Sequence, residues 1–224
     1  MAIDGVKIID SDTACDIYNY VTESYKDGLS SDKIIEKIRY FGHSGSRVKG
    51  LVFCSNKKEA KELSDAFNLR KFRTISLTGD DSQAKREDAI ARLTGTGAYQ
   101  GFVDDQLDYI FTVDIFNEGV DIPEVNQVIM LRQTESPIVF IQQLGRGLRK
   151  FEDKEYVVIL DFIGNYSNSY MIPLALSGDR SYNKDTLRKY VQSGNRIIPG
   201  TSTVHFDAIA KKRVFAAIDT ANLS

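Results

Sequence analysis

The octet Gln142-Gln143-Leu144-Gly145-Arg146-Gly147-Leu148-Arg149 carries the strongest chemical signal in the chain. On a helix, residues three apart share a side, so Arg146 and Arg149 can converge on one anion. The planar guanidinium fork meets phosphate oxygens at two points, which a lysine ammonium does not. Alone, the octet would read equally well as a helix whose arginines make surface ion pairs. Three further groups lie upstream. Tyr109 to Val113 is an apolar run that leads through Asp114 to Gly119-Val120-Asp121-Ile122-Pro123. Ser55-Asn56 follows the apolar run Leu51 to Cys54, and Thr78-Gly79 follows Thr74 to Leu77. Helix starts after such runs offer free backbone amides and the positive end of the helix dipole to a phosphate. The competing reading of Ser55, Asn56, Thr78 and the Asp80-Asp81-Ser82 run is helix capping, which needs no ligand.

These groups need elements that hold them together. From Gly50 onward, short apolar runs alternate with amphipathic segments. Strands are expected at Leu51–Cys54, Thr74–Leu77, Tyr109–Val113, Gln127–Leu131 and Tyr156–Leu160, with helices at Lys57–Phe67 and Gln83–Leu93. Ser136-Pro137 supplies an N-cap and a first-turn proline for a helix running to about Leu148. Such alternation implies an α/β fold: a doubly wound parallel sheet with right-handed crossovers and helices on both faces. In these sheets the ligand site lies beyond the carboxyl ends of the strands. The groups above fall there, as does Arg132-Gln133.

Residues 1–47 read as a helical lead-in segment, with helices at Asp12–Lys26 and Ser31–Phe41; the second opens on Ser30-Ser31-Asp32 and spaces Ile34, Ile35 and Ile38 along one face. Residues 48–162 form the main domain. Residues 163–224 read as an accessory extension with helices at Asp185–Gln192 and His205–Ile218, the latter carrying Phe206, Ile209, Phe215 and Ile218 as a core stripe. The glycines of Gly95-Thr96-Gly97-Ala98-Tyr99-Gln100-Gly101 read as a loop, because no Lys-Ser/Thr pair at a helix start follows.

Bulk properties narrow the function classes. The net charge of −2 and pI of 5.8 argue against coating nucleic acid through bulk charge. Local grooves remain open at Lys57, Lys58 and Lys61, at Arg70, Lys71 and Arg73, or at Lys211-Lys212-Arg213, each of which also reads as a solvated face. The two cysteines, Cys15 and Cys54, and the two histidines, His43 and His205, cannot assemble a Cys/His metal site, so no metal ligand is expected on this chain. No apolar run approaches the ~18 residues that span a bilayer. The amino terminus has no secretory pattern, which makes a cytoplasmic location and no membrane partner the default expectation.

Taken together, the motifs resemble those of superfamily-two helicases, specifically the C-terminal RecA-like lobe. Gly50 to Ala60 resembles motif IV, Tyr109 to Pro123 motif V, and Gln142 to Arg149 motif VI, Gln-x-x-Gly-Arg-x-x-Arg, with all fixed positions met. They occur in family order, and the resemblance covers roughly Lys49 to Asp161. It implies that Arg146 and Arg149 act as arginine fingers on the γ-phosphate of ATP, with Gln142 ordering the site. Gly119 would permit close backbone approach at the interlobe cleft, and Asp121 could accept a hydrogen bond from a ribose hydroxyl. Thr112 would face a nucleic-acid phosphate, with Ser55, Asn56, Thr78 and Gly79 as further backbone contacts. The Glu118-Gly119-Val120-Asp121-Ile122-Pro123 form is closer to excision-repair and restriction-type motors than to DEAD-box usage, which tilts the partner toward DNA, with RNA as the alternative.

No Gly-x-x-x-x-Gly-Lys-Ser/Thr and no strand ending in Asp-Glu-x-Asp/His occurs. The resemblance therefore implies that ATP and Mg²⁺ are held mainly by an N-terminal RecA-like lobe of the same protein, and that this chain alone does not hydrolyse ATP. The alternative is a RecA-like lobe serving as a non-catalytic protein-interaction or regulatory module.

Overall fold

The computed structural model describes residues 18–23, 30–113, 115, 122–132, 151–162, 173, 183–193, 203–206 and 208–221. Seven parallel strands form one sheet. They are β1 Tyr18–Glu23, β2 Gly50–Phe53, β3 Thr74–Leu77, β4 Tyr109–Thr112, β5 Gln127–Met130, β6 Val157–Phe162 and β7 Thr203–Phe206. Their order across the sheet is β3-β4-β2-β5-β6-β1-β7. The described helices are α1 Ser31–Phe41, α2 Lys57–Leu69, α3 Gln83–Thr94, α4 Lys184–Ser193 and α5 Ala208–Thr220.

Each early helix starts where its cap residue stops the extended chain. Ser30, Asn56 and Ser82 all sit in β-region backbone and accept from the amide three residues on, at Lys33, Glu59 and Lys85. Helix α3 ends on Gly95, whose φ of 74° is the left-handed conformation that glycine adopts without strain.

The sheet buries both faces, as continuous apolar strands require. Alternation along β2 divides the core. Leu51 and Phe53 join Ala89 and Leu93 of α3, Leu187 and Val191 of α4, and Val214 and Ile218 of α5. Val52 and Cys54 join Ile34, Ile35 and Ile38 of α1 and Ala60 and Phe67 of α2 on the other side. Phe67 stands edge-on to Tyr109 and Phe111 at centroid distances of 5.8 and 5.0 Å, the favoured aromatic geometry. Gly50 is required at its position because a Cβ there would overlap the Tyr109 ring.

The five strands expected from residues 48–162 are all present, displaced by no more than two residues at any end, and they form the RecA-like parallel sheet wound on both faces. Two expectations are corrected. Within Asp12–Lys26, Tyr18–Glu23 is a strand paired with β6 and β7, not helix. The proposed helix at His205–Ile218 starts later: Thr203–Phe206 is strand β7, so Phe206 does not belong to the stripe, and α5 begins at Ala208. Both strands are rich in β-branched and aromatic residues, which favour a pleated, packed surface. Strands from before residue 48 and after residue 162 thus join the same sheet as the central ones. The helix expected at Ser136–Leu148 lies outside the described residues.

Candidate nucleic-acid and interlobe edge

The ladders put Phe53, Thr112 and Leu77 level with one another across β2, β4 and β3. The chain therefore leaves these three strands side by side, at Cys54-Ser55-Asn56, Val113 and Thr78-Gly79. With neighbouring strands about 4.8 Å apart, the β2 and β3 exits are separated by roughly 10 Å, with the end of β4 between them.

The β2 exit is a capping arrangement. The Asn56 side chain accepts from Glu59 N at 2.9 Å, and Glu59 Oε2 reaches back to accept from Ser55 N at 2.6 Å. Ser55 Oγ donates to Leu131 O at 3.2 Å, tying the exits of β2 and β5. Both residues are exposed, so they are accessible from solvent while already serving a local structural purpose.

The β3 exit is built around Asp81. Its Oδ2 accepts from Thr78 N at 2.7 Å, and Lys85 Nζ donates to Oδ1 at 2.6 Å. These contacts, the lysine hydrogen bond first and the Thr78 amide next, hold the Asp81 carboxyl below the usual carboxylate range. Gly79 is exposed with open space where a side chain would project, and its carbonyl accepts from Arg86 Nη2 at 2.7 Å. Lys57, in the first turn of α2, donates to Asp80 and so bridges the two exits across the end of β4.

Thr112 does not face outward. It is completely buried and its Oγ1 has no hydrogen-bond partner. At the last position of β4 the hydroxyl is enclosed in this structure, and a phosphate contact by Thr112 stays a proposal. The proposed Gln142, Arg146, Arg149, Gly119 and Asp121 lie outside the described residues.

Several of the basic side chains singled out by sequence have an acidic partner close by. Lys58 pairs with Glu62 and Lys61 with Asp65, each one helical turn away; Arg70 pairs with Asp32 and Arg73 with Asp108. Cys54 is buried, and burial, reinforced by the Glu59 charge, pushes its thiol far up, as expected of a core residue. Among the described residues no group of three or more His, Cys, Asp or Glu side chains is placed to hold a metal ion, and no helix is long and apolar enough to cross a membrane.

Sequence reasoning missed the amino-terminal edge. Asn126 donates to Ser44 O at 2.6 Å and Arg47 O at 2.8 Å and accepts from Lys49 N at 2.9 Å. Beside it, the buried Lys154 ammonium donates to Pro123 O and Val125 O. Lys154 sits in the polar run Glu152-Asp153-Lys154-Glu155, which gave no sign of burial.

A parallel sheet wound on both faces, with polar exits gathered at its carboxyl edge, is the arrangement expected of a RecA-like lobe. The model of the helicase conserved C-terminal domain matches residues 31–151, and the chain belongs to that family. It is 30% identical over 131 residues to the putative ATP-dependent helicase IRC3 of Saccharomyces cerevisiae, which covers 58% of this chain and 18% of that protein. It is 32% identical over 103 residues to the probable ATP-dependent RNA helicase ddx41 of Dictyostelium discoideum, covering 45% and 14%. The chain thus spans less than a fifth of either relative. The C-terminal domain of the DEAD-box protein Dbp5 has the same fold, with a TM-score of 0.53 at 17% identity, covering 92% of this chain and 99% of that one.

Proposed function

We propose that this chain is the second motor lobe of an ATP-dependent nucleic-acid helicase or translocase, working against an N-terminal RecA-like lobe of the same protein. The observation that carries the reading is the helicase C-terminal domain match over residues 31–151, a span that contains all three motifs in order. The exits at Ser55-Asn56 and Thr78-Gly79, exposed at all but the half-buried Thr78, support it, since they present backbone and small polar groups at the edge where such a lobe would meet a phosphate chain.

In this reading ATP is the substrate, bound between lobes, and Mg²⁺ is its partner ion, held mainly by the other lobe. Arg146 and Arg149 bring positive charge to the transferred phosphoryl group, Gln142 orients them, and Gly119 and Asp121 line the cleft. An arginine finger contributes roughly 10³–10⁵ in rate. Ser55, Asn56 and Gly79, with Thr78 behind them, hold one nucleic-acid strand, and closure followed by loosening of the two lobes advances it. Contacts of this kind carry little sequence preference.

The Glu118-Gly119-Val120-Asp121-Ile122-Pro123 form favours DNA, in the manner of restriction-type motors. RNA is the second reading, favoured by the similarity to a relative named as an RNA helicase. The test is ATP hydrolysis by the complete protein with DNA, with RNA and with neither, alongside Arg146→Ala. Expected is nucleic-acid-stimulated turnover, greater with DNA, which Arg146→Ala lowers by about 10³ or more while nucleic-acid affinity is kept. Wild-type turnover in the variant rejects the arginine's role; no turnover under any condition favours a non-catalytic interaction module.

A further inference from the structure

We propose that Lys154 is a positioning residue that ties together the far ends of the two segments carrying Gly119–Asp121 and Gln142–Arg149, so that they respond as one unit. The consequence for catalysis rests on the motor reading above.

The sheet sets up the relation. The first segment leaves the carboxyl edge after Val113 and is back at the amino edge by Ile122, ahead of β5. The second leaves the carboxyl edge after Arg132 and is back by Phe151, ahead of β6. Both connections therefore end at the same edge of adjacent strands. There the turn Ile122–Val125, closed by Val125 N donating to Ile122 O, is anchored through Ile122 and Val125, which are both in the core. Lys154, five residues beyond Arg149, lies in a turn closed by its own amide donating to Phe151 O. Its ammonium donates to Pro123 O at 2.6 Å and Val125 O at 3.0 Å.

The residue is 7% exposed. Lysine is among the residues least often buried, and withdrawing an ammonium from water is costly unless hydrogen bonds replace the solvent. An apolar side chain of similar size would fill the space but leave these two carbonyls without that donor. What an ammonium adds is direction: two carbonyls of one segment's terminus are fixed to the terminus of the other. Misplacement of a reacting group by about 1 Å can cost on the order of 10² in rate, so a tie shared by the ends of both segments bears on their chemistry without touching substrate.

The test compares the complete wild-type protein with Lys154→Met and Lys154→Arg, each well below its unfolding midpoint. Hydrogen exchange over residues 114–122 and 133–150 should accelerate together in Lys154→Met, by about tenfold or more, while amides of β2 and α2 change little. Nucleic-acid-stimulated kcat should fall about tenfold with the KM for ATP nearly unchanged, and Lys154→Arg should recover most of it. A folded Lys154→Met with unaltered exchange, or with a wild-type kcat, overturns the proposal. If Lys154→Met does not fold, Lys154→Gln decides by exchange: matched acceleration in both segments upholds the tie, and unaltered exchange or a change confined to one segment overturns it. Exchange is independent of hydrolysis, so coupled exchange in a protein with no ATPase activity upholds the tie and sinks the motor reading instead.

Discussion

Replacing Asp80 with asparagine should tighten nucleic-acid binding. Asp80 lies just after Thr78-Gly79 and pairs with Lys57 from the first turn of α2, so a carboxylate occupies a lysine that bridges the two exits. The side chains are 77% and 58% exposed. A pair so open to solvent is worth about 0.2–1 kcal/mol, so the substitution should leave folding stability nearly unchanged. For binding, the change removes a negative charge from the edge and releases Lys57 to meet a phosphate. Each cation newly used steepens the dependence of log K on log salt by roughly 0.7 for a single strand and 0.9 for duplex DNA. The affinity gain itself should be about 1.4-fold to fivefold, the energy of the exposed pair, and largest at low salt. The assay is fluorescence anisotropy of a labelled oligonucleotide titrated with the complete protein at several salt concentrations. Asp65→Asn is the control, because Asp65 pairs with Lys61 further along the same helix and away from the exits. Equal affinity and equal salt slope for Asp80→Asn and wild type would refute the reasoning, as would an equal gain from Asp65→Asn.

Thr112→Val should keep nucleic-acid affinity within about twofold and stabilise the fold or leave it unchanged, because an unpaired buried hydroxyl costs about 1–3 kcal/mol; loss of binding in the anisotropy titration would mark Thr112 as a contact. Gly50→Ala should cost about 1–3 kcal/mol or more by forcing a Cβ into the Tyr109 ring, read as a lowered denaturation midpoint. Asp81→Asn should destabilise at neutral pH, and the deficit should fade in acid. The Asp81 pKa is depressed in the folded state, so its stabilisation is present above the ordinary carboxylate pKa and lost as pH falls through the folded value. A wild-type minus variant difference in unfolding midpoint that stays constant from pH 7 to roughly pH 3 would contradict that sign.

The central strands and the first three helices were legible because local chemistry declares them. Ser30, Asn56 and Ser82 announce helix starts, and the apolar runs at Leu51, Tyr109 and Gln127 are too short for helices and too apolar for a one-sided sheet. The outer strands were not. Tyr18-Asn19-Tyr20-Val21-Thr22-Glu23 has the alternation and side-chain types of a strand, but its flanks also suit a helix, and only pairing with β6, more than a hundred residues away, decides. At the site, residue types located the carboxyl edge but not side-chain direction. Thr112 and Val113 are neighbours, and since successive side chains of a strand point to opposite faces, register decides which one reaches what. Lys154 was invisible for a plainer reason: a lysine between acidic residues is almost always solvated, and its burial depends on two carbonyls about thirty residues upstream.

The two edges of the sheet divide the labour differently. At the carboxyl edge the polar groups satisfy one another through contacts that are mostly exposed: Asn56 with Glu59 and Lys57 with Asp80 in solvent, and Thr78 with Asp81 at a half-buried position. Such contacts are individually weak and can be exchanged for a ligand's oxygens at small net cost. At the amino edge the contacts span long separations: Asn126 to Ser44 O and Lys154 to Val125 O are buried, and Arg47 donates to Leu107 O at 2.7 Å from a half-buried position. Breaking either buried bond leaves a donor or acceptor without water, a penalty of about 1–3 kcal/mol each. On the proposed motor reading, a lobe that grips and releases a polymer needs an exchangeable surface on a frame that does not yield with it. The buried bonds of the amino edge would supply that frame, and sensitivity to mutation should then be greater there than at the carboxyl edge.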